Sequence, residues 1–516
     1  MLNAEYEKPN AEYEKPNAEY EKPNAEYEKP LAVHDTNIAG LKVVDLSVHA
    51  DARGWFKENW QSAKMGALGI PNLHVVQNNV SFNVNAGTTR GIHAEPWDKF
   101  VSLASGKVFG AWVDLREGSA TFGACFTCTL DPTTAIYVPR GVGNSFQALE
   151  NNTVCTYLVN KYWSAALKHT YTFVNLADPD LNIPWPIPLD KATISEADKN
   201  HPLLKDVAPM PPKRTLVTGC NGQLGQAVRA LAQKRCLSAF FDFKSGEEFD
   251  ITSADAYDTV DWDCYATVIN CAAYTAVDVA ETLEGRAACW ATNATGPALL
   301  ARTCAAHDIT LVHVSSDYVF DGTAKVHGED EAFSPLNVYG QAKAAGDLAV
   351  ATCPQHYLIR SSWLVGNGNN FVRTMCALSN RVAAGELDHV TVVNDQIGRL
   401  TFANQAAEAL FWLLGYRQGD LFPSAPCEYG TYNVTGSGAV KSFAEIARMC
   451  FNAQNGNGEN VVPVSTAEYC ANAKAPVAPR PHNSALSLAK LEATGFPLRN
   501  WENDLNDYLH EMRQHK

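Results

Sequence analysis

The chain has 516 residues, 46% of them hydrophobic and 19% charged, with a formal net charge of -15. Such a length exceeds what one hydrophobic core can serve and implies about three structural units, and the composition is that of a soluble globular protein. The acidic excess argues against binding nucleic acid through its phosphates, and no run of about 18 apolar residues marks a membrane span. The N-terminus lacks a basic-then-apolar signal, so the cytoplasm is the default expectation. An anionic substrate would then be held by local arginines.

The 14 cysteines are scattered and mostly sit in apolar runs such as Ile269-Asn270-Cys271-Ala272, as reduced core thiols do. Cys125-Phe126-Thr127-Cys128 is a lone CxxC in a strand-like segment, with no second pair to complete a metal site.

Residues 3–30 are four copies of Asn-Ala-Glu-Tyr-Glu-Lys-Pro. The period is seven, but each copy contains a proline and lacks two apolar positions for a seam, which excludes a coiled coil. A disordered acidic tail over 1–30, without assigned function, is expected.

From residue 31 to about 201 come short alternating segments rich in Val, Phe, Tyr and Trp, punctuated by Gly, Asn and Pro: 75–82, 99–103, 107–114, 123–130 and 153–161. This spacing predicts an all-β sandwich or barrel. Charged groups gather at a few places, among them Asp51-Ala52-Arg53-Gly54-Trp55-Phe56-Lys57-Glu58, Arg90-Gly91-Ile92-His93 and Asp98-Lys99. Pro209, Pro211 and Pro212 then suit neither helix nor central strand and suggest a semi-rigid linker over 206–213.

Carrying Asp-x-Arg-Gly-aromatic-aromatic, Gln77 with Asn79, Arg-Gly-x-His, Val113-Asp114-Leu115-Arg116, Val138-Pro139-x-Gly141 and Ile194-Ser195-x-x-Asp198, residues 31–205 resemble the dTDP-4-dehydrorhamnose 3,5-epimerase family, a jelly-roll fold related to cupins. A sugar with a C4 ketone has acidic protons at C3 and C5, so inversion needs a base near neutral pKa on one face and an acid on the other. The resemblance implies His93 as base, oriented by Asp198, with Tyr157 protonating the enolate from the opposite face and Lys99 stabilising its charge. It implies Arg53 and Arg90 on the nucleotide diphosphate, with Glu58, Gln77 and Asn79 lining the pocket. Two departures stand out. The family usually shows Ala-His-Gly-Phe where this chain has Gly143-Asn144-Ser145-Phe146, so a second pocket histidine is missing, and Glu95 replaces the usual Gln. His93 with Glu95 is too small a donor set for a cupin metal, so no metal is expected.

Beyond Lys213, strand-like runs alternate with helical patterns: 216–217 with 226–234, 267–270 with 280–307, 310–314 with 337–351, then 357–360. The alternation predicts a parallel sheet with helices on both faces, a Rossmann-type domain. Gly219, Gly222 and Gly225, with Asn221, Gln223 and Leu224 between them, form the turn by which a first strand enters a helix and backbone N–H groups approach a pyrophosphate. Asp242 lies where an acid can bind ribose hydroxyls, which leans toward NADH, while Lys244 could face a 2′-phosphate; NADH and NADPH both remain open. Tyr339 and Lys343, four apart, share one helix face. The ammonium there can lower the phenol's pKa, letting Tyr339 protonate a carbonyl oxygen that Ser316 also bonds.

With residues 218–226, Asp250-Ile251, residues 270–281, residues 317–322, Arg360-Ser361-Ser362-Trp363, Asn394-Asp395-Gln396-x-Gly398 and Arg480-Pro481-x-Asn483-Ser484, residues 214–516 resemble the dTDP-4-dehydrorhamnose reductases among the extended short-chain dehydrogenase/reductases. By that resemblance Asp250, Ile251, Asn270, Ala272, Ala273, Tyr274, Tyr339 and Lys343 contact the cofactor. A smaller substrate lobe from about 366 onward carries Asn394 and Gln396. Leu400, where the family commonly has Pro, suggests a local loop change.

The two resemblances are to consecutive steps. They imply a bifunctional enzyme that epimerises dTDP-4-dehydro-6-deoxy-D-glucose and then reduces the C4 ketone to dTDP-L-rhamnose, with a homodimer through the jelly-roll domain. Two alternatives are a reductase whose β-domain only binds or dimerises, and a regulatory nucleotide-sensing subunit.

Overall fold

The computed structural model describes residues 29–71, 73–417, 426–473 and 477–514, so the seven-residue repeats lie outside the described residues except for Lys29 and Pro30. The chain divides into two compact units, Met1–Pro212 and Lys213–Lys516.

In the first unit the alternating segments form β1 (Ala32–Asp35), β2 (Lys42–Asp45), β3 (Val48–Asp51), β4 (Gly54–Lys57), β5 (Gln77–Asn83), β6 (Thr89–Ala94), β7 (Lys99–Ser105), β8 (Val108–Asp114), β9 (Cys125–Leu130), β10 (Thr134–Val138), β11 (Val142–Ala148), β12 (Thr153–Val159) and β13 (Thr172–Phe173). They assemble into two antiparallel sheets, ordered β1-β2-β10-β7-β12-β5 and β13-β6-β11-β8-β9, with β3 and β4 as a separate hairpin. Val101, Ile136 and Val138 from the first sheet meet Val108, Trp112, Val142 and Phe146 from the second in one apolar cluster. The central β10 is buried at every position and reads Thr-Ala-Ile-Tyr-Val without polar alternation, as a strand covered on both faces does.

The proline-rich stretch is not a free spacer. Met210 is buried among Leu115, Val174 and Leu176, its amide and carbonyl pair with Leu115 O and Glu117 N, and Arg140 donates to Pro211 O at 2.7 Å. The prolines offer no N–H, but the residue between them does, and it docks the segment on the β unit.

The second unit is built on a parallel sheet, β14 (Arg214–Thr218), β15 (Phe241–Lys244), β16 (Tyr265–Asn270), β17 (Thr310–Ser316) and β18 (His356–Ser361), ordered β15-β14-β16-β17-β18 and completed by Gly430–Asn433. Period two distributes its residues. Val217, Ile269, Val312 and Ile359 face helices Gln223–Lys234 and Ala403–Leu413, while Leu216, Val268, Leu311 and Leu358 face Gly296–Ala306 and the end of Val338–Val350. A third cluster joins helices Phe371–Ala383, Phe443–Asn455 and Trp501–Gln514 into a smaller lobe. That lobe is not one continuous run from residue 366: helix Ala403–Leu413 and strand Gly430–Asn433 return to the sheet, because β18 leaves an edge that the latter pairs.

The turn after β14 is set by close backbone approach. Gly219 has φ +64°, and a Cβ there would lie 2.5 Å from the Ala272 nitrogen; one on Gly225 would lie 2.6 Å from Cys220 Cα. Gly219→Ala is expected to cost roughly 2 kcal/mol. Hydrogen exchange on the full chain should speed up in β14 and β16 while β7 and β12 keep native protection; unchanged protection in β14 would contradict this account of the turn.

Candidate active sites

The first unit holds a half-open cavity of about 870 Å³. Strand β6 brings Arg90 and His93 to it, β5 brings Asn79, β7 brings Lys99 and β12 brings Tyr157. Asp198 enters from the short helix Glu196–Lys199, whose Ser195 cap accepts from the Asp198 amide. His93 Nε2 lies 2.8 Å from Asp198 Oδ1. Burial opposes ionisation of Asp198, but hydrogen bonds from His201 and His93, the charge of His93 and the Gly91 amide outweigh it and hold the carboxyl well below its usual range. Because the carboxylate only accepts, Nε2 of His93 carries the proton and Nδ1 is left to act as base. Burial raises the Tyr157 phenol, so it stays protonated; its hydroxyl is 3.2 Å from Ser81 Oγ.

Lys99 is engaged by a neighbour that the sequence marked as a departure. Its Nζ is 2.7 Å from Glu95 Oε2, with the lysine side chain only 3% exposed. Asn144, in register with His93, accepts from Trp112 Nε1 at 2.9 Å. Three predicted residues do not line the cavity. Arg53 is bound to Asp51 across the β3–β4 turn with its side chain 90% exposed, and Glu58 pairs with Lys64. Gln77 donates to Asn79 Oδ1 and accepts from the Trp163 amide, so it orders two lining residues from behind.

His201 was missed by the sequence reading. Its Nε2 is 3.2 Å from the same Asp198 Oδ1, and its ring stacks on Phe173 at 4.5 Å. The available signal was its position three residues after Asp198, just past the end of the short helix that carries the carboxylate. Ligand atoms of His93, Asp198 and His201 lie within 4.8 Å of one another, a spacing a metal ion could bridge, although the hydrogen bonds among them already account for the arrangement.

In the second unit Ser316 ends β17, while Tyr339 and Lys343 lie on helix Val338–Val350. Ser316 donates to Asp317 Oδ1 at 2.9 Å and is hydrogen-bonded to the Tyr339 phenol, which burial raises and this bond lowers. Lys343 Nζ donates to Val314 O at 2.6 Å, and burial pushes the ammonium down to about 8. Burial pushes the Asp317 carboxyl up to about 6 against hydrogen bonds from Ser484 and Ser316. This site can hold a carbonyl oxygen between a hydroxyl and a phenol, with Lys343 one helical turn beyond Tyr339 on the same helix.

The expected cofactor residues divide into contacts and supports. Gly222 caps the helix Gln223–Lys234, leaving Asn221 exposed beside the helix N-terminus. Leu224 belongs to the core, and Gln223 accepts from the Gly366 amide at 2.7 Å. Asn270 is fully buried: Thr218, the Ala272 amide and His313 use its side chain, so it supports the turn from below. Ala273 is exposed at the end of β16, and Asn293 clamps Tyr274 through both its N–H and its carbonyl. Asn293 sits in the π-helical turn Ala291–Thr295, a feature no periodicity in the sequence announced. Ile251 is core, and exposed Asp250 accepts from Thr252.

Asp242 stands elsewhere than expected. It lies on the edge strand β15 opposite Leu216, before the strand's C-terminal end, bonded to Arg214 at 2.5 Å and to the Tyr265 hydroxyl at 2.9 Å; the residue at that end, opposite Thr218, is Lys244. In the lobe, buried Gln396 donates to Thr466 at 3.0 Å, whereas Asn394 is exposed.

The RmlD substrate binding domain family matches residues 213–514, and the dTDP-4-dehydrorhamnose 3,5-epimerase family matches residues 35–206. A protein named "Protein RmlC homolog" from Streptococcus pyogenes serotype M6 is 52% identical over 181 residues, 34% of this chain and 90% of its own length. A dTDP-4-dehydrorhamnose reductase from Mycobacterium tuberculosis is 36% identical over 302 residues, 57% of this chain and 91% of its own. The crystal structure of a dTDP-4-dehydrorhamnose reductase from Clostridium acetobutylicum is similar with a TM-score of 0.51 and 31% identity, covering 58% of this chain and 99% of that one. The chain therefore belongs to the RmlD substrate binding domain family through its second unit and to the dTDP-4-dehydrorhamnose 3,5-epimerase family through its first.

Proposed function

We propose that the chain is a bifunctional enzyme of dTDP-L-rhamnose biosynthesis, which epimerises dTDP-4-dehydro-6-deoxy-D-glucose at C3 and C5 and reduces the C4 ketone of the product with NADPH. The observation that carries this reading is that one chain holds both constellations, His93 with Asp198 in a cavity and Ser316 with Tyr339 and Lys343 at a strand end. The first unit is accordingly a jelly roll over 31–205 and the second a Rossmann-type domain.

In the epimerase half, His93 Nδ1 removes the C3 and C5 protons while Asp198 supports the resulting imidazolium through Nε2. Tyr157 returns a proton from the opposite face, and Lys99 faces the enolate oxygen. Arg90 meets the diphosphate. Arg53 and Glu58, on their exposed hairpin, reach a nucleotide only if a second copy brings them to it. A homodimer across the edge strand β5, whose Val80 and Phe82 are exposed, would cover that apolar edge.

In the reductase half, the close approach at Gly219 and Gly225 leaves the helix N-terminus open to a pyrophosphate. Lys244, with Arg229 against the Phe243 ring at 4.9 Å, supplies cations where a 2′-phosphate falls, and Asp242 is already engaged, which favours NADPH. When bound, that cofactor supplies the hydride for C4. Tyr339 gives its phenolic proton to the C4 oxygen, Ser316 holds that oxygen, and the Lys343 ammonium stabilises the phenolate left behind. The acidic chain binds no nucleic acid. Among the described residues no helix is long and apolar enough to cross a membrane, and the 14 free thiols suit the cytoplasm.

In deuterated water without nicotinamide, the chain should place deuterium at C3 and C5 of the keto sugar, and added NADPH should yield dTDP-L-rhamnose. His93→Asn should abolish exchange but still reduce supplied dTDP-4-dehydro-L-rhamnose; Tyr339→Phe should do the reverse, losing on the order of 100-fold in reduction. A native chain that takes up no deuterium would leave the first unit as a scaffold.

Asp317 gives a pH prediction. Burial pushes its carboxyl up to about 6 from the ordinary 3.8, so its protonated form favours the fold below pH 4 and that contribution is lost as pH rises through 6. Relative to the native chain, Asp317→Asn should therefore gain stability between pH 4 and 7, by up to ~3 kcal/mol. Urea unfolding of the second unit reads this, and a difference independent of pH would sink it.

A further inference from the structure

We propose that His201 is a positioning residue of the epimerase half: by sharing Asp198 Oδ1 with His93, it fixes the carboxylate that orients the base and limits how much of that carboxylate's charge reaches His93. The proposal rests on the reading of His93 as the base.

The carboxylate has few other restraints. Oδ2 receives only the Gly91 amide at 3.4 Å, whereas Oδ1 receives His93 at 2.8 Å and His201 at 3.2 Å. The two imidazoles are nearly perpendicular, 85° between planes with centroids 5.6 Å apart, so they approach the oxygen from different directions and define where it lies. The His201 ring is itself pinned, stacked on Phe173 at 15°. Its backbone is held independently, since Asn175 donates to the carbonyls of Lys199 and His201. At position 144, which holds no histidine in this chain, Asn144 is turned to Trp112. The second imidazole of this cavity therefore comes from the chain segment that carries Asp198.

Two donors on one oxygen divide its charge between them. Without His201 the full carboxylate charge falls on His93, and any positive charge that His201 carried also disappears. Both changes stabilise the His93 imidazolium, so the acid limb of the rate profile moves to higher pH. Arg90 and Lys168, the Glu95–Lys99 pair, Tyr157 and Tyr171 line the same cavity and are unaltered by substitution at 201.

The test is deuterium exchange at C3 and C5 of dTDP-4-dehydro-6-deoxy-D-glucose across pH, with the full chain as native, His201→Phe and His201→Gln. Phenylalanine keeps the stack and removes the donor; glutamine keeps a donor that does not titrate. For His201→Phe we expect kcat for exchange to fall about ten-fold, KM to stay within about two-fold, and the acid limb of kcat/KM to rise by about half a unit. His201→Gln should retain kcat within about three-fold of native, with less displacement of the limb. The proposal is overturned if the phenylalanine variant keeps the native kcat and limb, if both variants lose equally, or if only KM changes. Should the phenylalanine variant fail to fold, a folded glutamine variant without exchange overturns it as well. Absence of exchange in the native chain itself would instead bring down the reading of His93, and this proposal with it.

Discussion

Asp198 keeps its charge at the edge of the first unit's cavity because donors converge on it from separate parts of the chain. Taking a carboxylate out of water costs several kcal/mol, and removing one donor leaves the rest of that cost in place. The fold supplies those donors by bringing a late segment back to an early strand. The two-residue β13 pairs with β6 at Thr172↔Ala94 and Phe173↔His93, which sets Phe173 edge-on to His93 and under His201. The helix that carries Asp198 then begins at the Ser195 cap. Base, orienting carboxylate and second imidazole are thus held by one strand pairing and one cap.

A similar constraint orders the second unit with opposite charges. Lys343 is held between the Val314 carbonyl and Asp347, four residues on, and Asp347 Oδ2 in turn accepts from Arg360 Nε at 3.2 Å, with all three side chains buried. Burial lowers the ammonium and raises the Asp347 carboxyl against the pull of Arg360, so neither ion is as firmly charged as it would be in water. That is useful one helical turn from Tyr339. A lysine near pH 8 carries charge at neutrality yet exchanges its proton readily, and its fixed position spares reorganisation when the phenol gives up its own.

Much of this was legible as periodicity. The parallel sheet followed from apolar runs alternating with helical patterns, and Tyr339 with Lys343 from a spacing of four, because both depend on local geometry. What was not legible depends on register and return of the chain. Asp242 lies at a plausible interval after Gly225, but β15 pairs so that Lys244, not Asp242, ends level with Thr218. Arg53 belongs to a sound motif, yet its hairpin joins neither sheet and its guanidinium closes on Asp51. His201 lies past the end of the short helix at Lys199, and its approach to Asp198 depends on the turn that follows, which no spacing in the sequence announces.

The replacement of a usual glutamine by Glu95 takes on a physical sense from its partners. An amide there would leave Lys99 as an uncompensated buried cation; the carboxylate at 2.7 Å balances it and fixes its rotamer. An ammonium has three donors, so one bond to Glu95 leaves others for a developing enolate oxygen. The same carboxylate acts on Tyr157. Burial is the largest influence raising that phenol, followed by Cys155; Ser81 and Arg90 pull the other way, and the charge of Glu95 adds the smallest upward push. A proton donor must hold its proton until the carbanion forms on the opposite face. Glu95 therefore balances and positions Lys99, while burial of Tyr157 is what chiefly holds the proton of the acid on the opposite face.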